Sequence, residues 1–146
     1  VSNPILVITV PQASVITGGG IFNTVKVESQ YIGHVGTVRL NKWFVDLVHK
    51  VKMEVVGGPT SVYVDYPGNE GLTGTVTLAT SHSSIHIWDN HEPAMAQFDI
   101  YSCKCFTLGD VLEQFEPWGI IKVEWVMIDR NNQPTITSEG VWTPQI

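Results

Sequence analysis

Residues 79–88 read Ala79-Thr80-Ser81-His82-Ser83-Ser84-Ile85-His86-Ile87-Trp88. In an extended chain, successive side chains point to opposite sides of the sheet. Read as a strand, the stretch puts His82, Ser84, His86 and Trp88 on one face and Ser83, Ile85 and Ile87 on the other, with Ser81 where the strand begins. The second face suits a core. The first carries two imidazoles, a hydroxyl and an indole in a row, and polar groups set side by side need partners or a ligand. The β propensity of Ser-Ser-Ile-His-Ile-Trp favours a strand over a helix. A sheet with one covered and one open face follows.

The neighbouring residues extend that sheet. Upstream, residues 61–66 and 73–79 read as strands, separated by the turn-rich Pro67-Gly68-Asn69-Glu70-Gly71. Downstream, residues 89–93 form a polar loop and residues 95–103 return as a strand, with Phe98 and Ile100 on one side and Gln97, Asp99 and Tyr101 on the other. Connections this short imply antiparallel pairing. Before them, Asn41 reads as an N-cap, and Phe44, Leu47, Val48, Val51 and Val55 follow the spacing of an amphipathic helix closed by Gly57-Gly58-Pro59. After them, Thr107 with Asp110 resembles a capping box for a helix carrying Leu108, Val111, Leu112 and Phe115, ended by Pro117. Residues 120–128 form a last strand with Lys122 and Glu124 on its wetter side. From residue 41 the order is α-β-β-β-β-α-β. This predicts an α+β fold, a two-layer α/β sandwich with an antiparallel sheet and both helices on one face. The chain reads as one domain, 1–146, with residues 1–40 as an N-terminal extension and 130–146 as a loose tail. Within the extension, residues 4–10 read as a strand stopped by Pro11 and 12–20 as a loop, with short strands at 22–28 and 35–40.

Composition narrows the function. Net charge is −6 with no run of Lys or Arg, which argues against a nucleic-acid backbone as partner. No apolar stretch approaches the roughly 20 residues that span a bilayer, and the apolar start lacks the basic region and cleavage site of a signal peptide. Cys103 and Cys105 lie two apart; on a strand their Cα atoms would sit about 6.6–6.8 Å apart, at the far limit for a disulfide. Reduced thiols and a cytoplasmic setting are expected. His82 and His86 are separated by about 13 Å along a strand, too far to share one zinc, so no metal site is expected. A Ser-His-acid hydrolase using Ser81 and Asp89 or Asp99 lacks the G-x-S-x-G elbow. On spacing and composition alone, a structural sheet with satisfied hydroxyls and imidazoles explains the ladder.

Residues 71–88, Gly71-Leu72-Thr73-Gly74-Thr75-Val76-Thr77-Leu78-Ala79-Thr80-Ser81-His82-Ser83-Ser84-Ile85-His86-Ile87-Trp88, add a more specific signal. They resemble the processing segment of prokaryotic S-adenosylmethionine decarboxylases: Gly-x-Ser/Thr-Gly, a short apolar run, then Glu-Ser-His-x-Ser-Ile-His-Thr-Trp-Pro-Glu. Downstream, Ala96-Gln97-Phe98-Asp99-Ile100-Tyr101-Ser102-Cys103 resembles the family's Ala-Ala-x-Asp-x-Phe-Thr-Cys. The resemblance covers about residues 41–129. It implies a two-layer sandwich, a homodimer and a zymogen that cuts itself between Thr80 and Ser81, turning Ser81 into a pyruvoyl cofactor. That group forms a Schiff base with S-adenosylmethionine and accepts electrons as CO₂ leaves, a step of polyamine (spermidine) biosynthesis. By position, Thr73 and His86 assist processing and Cys103 protonates the product. Trp88 stacks on the adenine with Tyr66 as the opposite face, and His82 joins the substrate-binding candidates. Thr80 stands where the family has Glu, and Asp89-Asn90 where it has Pro-Glu, so Asp89 and Glu92 are the candidates for the ribose hydroxyls. Two other readings stay open: an unprocessed, non-catalytic homologue that binds a nucleoside or a partner subunit, and a pyruvoyl decarboxylase of another amino acid such as arginine.

Overall fold

Among the described residues, strand alternation and helical stripes assemble into a single antiparallel sheet with two α-helices on one side. The computed structural model describes residues 4–13, 35–88, 94–130 and 133–143. The strands are β1 (Pro4–Ala13), β2 (Val55–Val64), β3 (Gly71–Leu78), β4 (Ser81–Trp88), β5 (Ala94–Tyr101), β6 (Ile120–Asp129) and β7 (Thr135–Trp142), and the helices are α1 (Val35–Lys50) and α2 (Leu108–Phe115). The sheet order is β2-β3-β4-β5-β1-β6-β7, with every neighbouring pair antiparallel. The predicted α+β sandwich is the observed fold.

The alternation read in residues 81–88 holds: Ser81, Ser83, Ile85 and Ile87 are buried, and His82 and His86 are exposed. Beneath the buried set lie Leu40, Phe44, Leu47 and Val48 of α1 and Val111 and Phe115 of α2, in one continuous cluster. Trp43 is its hub. Its ring lies 4.9–5.7 Å from those of Phe44, Phe98, Phe115 and Trp118, and its Nε1 donates to the Gln114 carbonyl at 2.7 Å. Edge-to-face contacts at such distances add to the area term. Gly74 sets how close α1 approaches the sheet, because a Cβ there would stand 2.8 Å from Leu40 Cδ2 and 2.9 Å from Phe44 Cε2.

Several local expectations are corrected. Residues 35–40, read as a strand, are the first turns of α1, and Asn41 lies inside the helix rather than capping it. Leu40 continues the buried stripe of Phe44 and Leu47, so packing overrides the β-branched local composition. Asn41 instead accepts a hydrogen bond from Ser61 Oγ at 2.6 Å, tying α1 to β2. The helix ends before Gly57. Lys52 N donates to the His49 carbonyl and Met53 N to the Val48 carbonyl, with Lys52 at φ 59°, which is a Schellman stop built on lysine. Gly57-Gly58-Pro59 lies within β2 where its register on β3 shifts, and Gly58 has φ 78°. Pro11 does not stop β1; the strand runs to Ala13 with register shifts beyond Thr9, the irregular setting in which a residue lacking an N–H is tolerated. The extension therefore supplies a central strand, paired with both β5 and β6. The tail expected to be loose forms β7, which pairs along β6. Of the expected loop at 12–20, residues 12–13 belong to β1 and the rest, with the expected strand at 22–28, lies outside the described residues.

Candidate active site

The open face of β3, β4 and β5 is a grid set by register. Thr77, His82 and Tyr101 form one row, Thr75, Ser84 and Asp99 the next, and Thr73, His86 and Gln97 the third. In the first row the His82 and Tyr101 rings stack at 5.4 Å, with the Arg130 guanidinium 4.8 Å from the Tyr101 centroid. In the second, Ser84 Oγ donates to Asp99 Oδ1 at 3.1 Å. In the third, Thr73 Oγ1 and His86 Nδ1 lie 3.1 Å apart.

The third row opens into a pocket of about 360 Å³ lined by Asn69, Gly71, Thr73, His86, Trp88 and Gln97, among others. The Trp88 ring lies 5.9 Å from His86, and its Nε1 donates to Asn69 Oδ1 at 2.7 Å. The β2–β3 turn thus holds the indole in place. Gly71 makes this possible: at φ 153°, a Cβ on it would fall 1.7 Å from the Ile87 carbonyl oxygen. Tyr66, the expected opposite face of the stack, stands 71% exposed on that turn and is not among the residues lining the pocket. Asn69 and Gln97 line it without having been singled out. Asn69 sat in a stretch read only as a turn, and Gln97 on the correct face but without the partner strand that gives it a site.

A second group forms at the other end of β4. Ser81 is 7% exposed, its side chain turned to the covered side, and its Oγ accepts the Cys103 backbone N–H at 2.9 Å. Ser102 fixes that loop. Its N–H donates to the Pro4 carbonyl at 2.9 Å, and its Oγ donates to the Lys104 carbonyl while accepting the Lys104 N–H. Thr80 Oγ1 donates to the Ala79 carbonyl at 2.7 Å, and Cys103 Sγ lies 3.6 Å from the same oxygen. Hydrogen bonding to the Ser81 hydroxyl, then to that of Thr80, pulls the Cys103 thiol below its ordinary range against the opposing effect of desolvation. Both cysteines are free.

The structure therefore brings Ser81, Thr80 and Cys103 together, and separately Thr73, His86 and Trp88. The two groups are not brought together within one chain, since five residues along a strand separate Ser81 from His86 by about 16 Å. Asp89 and Glu92 lie outside the described residues. Among the described residues no cluster of three metal-ligating side chains occurs, and no helix is long and apolar enough to cross a membrane.

The sequence profile described as S-adenosylmethionine decarboxylase matches residues 24–123. The chain belongs to the S-adenosylmethionine decarboxylase family. That family is in general pyruvoyl-dependent and implies a small-molecule substrate. Among solved structures, the adenosylmethionine decarboxylase from Aquifex aeolicus VF5 is similar in fold, with a TM-score of 0.54 and 16% identity over 86% of this chain and 88% of that one. No curated protein sequence matches.

Proposed function

We propose that this family member is a self-cleaving decarboxylase of S-adenosylmethionine, cut between Thr80 and Ser81. The observation that carries the reading is the Ser81 hydroxyl, at the mouth of a tight turn, held by the Cys103 N–H at 2.9 Å beside a thiol of lowered pKa. In the uncut chain the Ser81 Oγ attacks the Thr80 carbonyl carbon and the Thr80–Ser81 amide bond breaks, leaving an ester and a free amine. Loss of the Ser81 α-proton expels the Thr80 carboxylate from Cβ. Water then replaces the nitrogen, ammonia leaves, and the second chain begins with a pyruvoyl group. That group, once formed, supplies the sink for the electron pair that CO₂ leaves behind.

The other residues bind or move protons. Cys103, at the same end of β4, is the proton donor to the product carbon. The indole of Trp88, fixed by Asn69, offers a flat face to the adenine of the substrate held at the other copy's Ser81, since about 23 Å of strand separates it from its own. His82 is a further contact, with Asp89 or Glu92 for the ribose. Thr73 and His86 form a hydroxyl–imidazole pair suited to assisting processing. Their distance from Ser81 within one chain supports a homodimer. Two open faces meeting about a twofold axis that crosses β4 near Ser84 would carry one copy's Thr73–His86 pair to the other copy's Thr80–Ser81 peptide. Exposed Val7, Val62, Ile136 and Val141 on that face would be covered in the same step. A cytoplasmic enzyme of polyamine synthesis is the corresponding setting.

Intact-mass measurement of the purified chain is the test. Two fragments divided at Thr80–Ser81, the second without a free amine, are expected, together with CO₂ release from S-adenosylmethionine; Ser81→Ala should remain one inactive chain. A wild-type chain that stays whole on long incubation would sink the proposal. Thr80 in place of the family's Glu would then favour an unprocessed homologue, tested by titration with 5′-methylthioadenosine. Cleavage with CO₂ release from arginine alone would move the substrate and leave the mechanism.

A further inference from the structure

Leu78 pairs directly with Ser81, so Ala79 and Thr80 are the whole of the β3–β4 turn. Thr80 has φ 54°, and Ala79 is not among the residues of positive φ. A two-residue turn whose second position is left-handed asks for glycine or asparagine there. A β-branched residue crowds its own backbone in that region. The other non-glycine residue at positive φ among those described, Lys52 at φ 59°, is a different case. It is unbranched at Cβ and completes the stop of α1, where a left-handed residue is the ordinary ending.

Strained residues persist where their surroundings over-determine them. Around Thr80 the ladder of β3 on β4 runs without a register shift from Gly71 opposite Trp88 to Leu78 opposite Ser81. The Thr80 hydroxyl donates to the Ala79 carbonyl at 2.7 Å, the Cys103 thiol lies 3.6 Å from that oxygen, and the Cys103 N–H holds Ser81 Oγ at 2.9 Å. The turn is clamped from both sides. Its strained residue carries the carbonyl that Ser81 would attack.

We propose that the left-handed Thr80 is a positioning residue that loads the Thr80–Ser81 peptide for cleavage, an inference resting on the self-cleavage reading. In the first step the bond from Ser81 Oγ to the Thr80 carbonyl carbon forms, the bond from that carbon to Ser81 N breaks, and the hydroxyl proton ends on the departing nitrogen. The turn then no longer closes through a planar peptide, and Thr80 can leave the left-handed region. Strain present in the uncut chain and relieved during this step lowers the barrier to it.

The test compares Thr80→Gly, Thr80→Asn and Thr80→Val with Thr80 by two readouts. The first is the melting temperature in the uncut Ser81→Ala background. Gly and Asn should melt higher than Thr, and Val no higher; Asn separates strain from the flexibility of glycine. The second is the cleavage rate of the Ser81 chain by intact mass. Thr80→Gly should be about tenfold slower, in keeping with the usual cost of a left-handed branched residue. Asn should be intermediate, while Val, which keeps the branch and loses the hydroxyl, should stay within about threefold of wild type on the same scale. A glycine variant that cleaves at the wild-type rate, or that melts below Thr, overturns the inference. If wild type cleaves and Gly keeps pace, the self-cleavage reading survives alone. If wild type never cleaves, both fall.

Discussion

The two faces of β4 come from alternate residues of one short stretch, yet they are held by different forces. Ile85 and Ile87 are buried under α1 and α2, while His82 and His86 are exposed on the opposite side of the same backbone. The covered face is locked by volume, with Gly74 admitting α1 and Trp43 joining four aromatic rings. The open face is ordered by register and a few polar contacts, such as Thr73 with His86 and Ser84 with Asp99. Packing builds the platform and strand pairing places the chemistry. Changes on the covered face should damage stability, and changes on the open face should damage the reaction while the fold survives.

The largest effect on stability is expected at Phe44, fully buried beneath Gly74. Phe44→Ala should lower the free energy of unfolding by about 3–5 kcal/mol, measured by urea denaturation. A cost below about 1 kcal/mol, the ordinary size for a point substitution, would break the contrast between the faces. His86→Ala should do the reverse. Stability should stay within about 0.5 kcal/mol of wild type, while chain cleavage falls by about a hundredfold or more, as for loss of a group that assists proton transfer. Mixing it with Ser81→Ala chains sharpens the point. If two copies share the site, the His86→Ala chain is cut in the mixture; if it stays whole, the shared site is wrong.

The smallest effect is a pH shift at Cys103. Its thiol is held below the ordinary range chiefly by the Ser81 hydroxyl, so the reactive thiolate appears at lower pH than for an unassisted thiol. Removing that hydroxyl returns the onset toward higher pH. Among uncut chains, iodoacetamide labelling of Cys103 should therefore begin at lower pH in His86→Ala than in Ser81→Ala. Identical profiles would show that Ser81 does not tune Cys103.

Legibility followed the same division between local pattern and distant partner. The alternation through Ile87 and the spacing of Phe98, Val111 and Phe115 announced the core, because half-buried elements repeat their burial at their own period. β7 leaves no such signal, because residues 135–142 lie mostly exposed and carry no burial repeat. The start of α1 is hidden because Val35, Thr37 and Val38 are β-branched, a local preference that the packing of Leu40 beside Phe44 outweighs. The Schellman stop was hidden by Lys52 standing where glycine is usual. Asn69 became a partner of Trp88 only when the β2–β3 turn folded back over the strand.

The sequence by itself determined which residues share a face of β4 and β5, where the α2 cap lies and which chemistry-bearing types occur, since those follow from the geometry of a strand or a helical turn. Tertiary structure alone runs residues 4–13 through the interior of the sheet, sets Cys103 against Ser81 and brings Thr73 beside His86. Those relations join residues 13–125 positions apart along the chain, and they are set by which strands find one another rather than by any local preference.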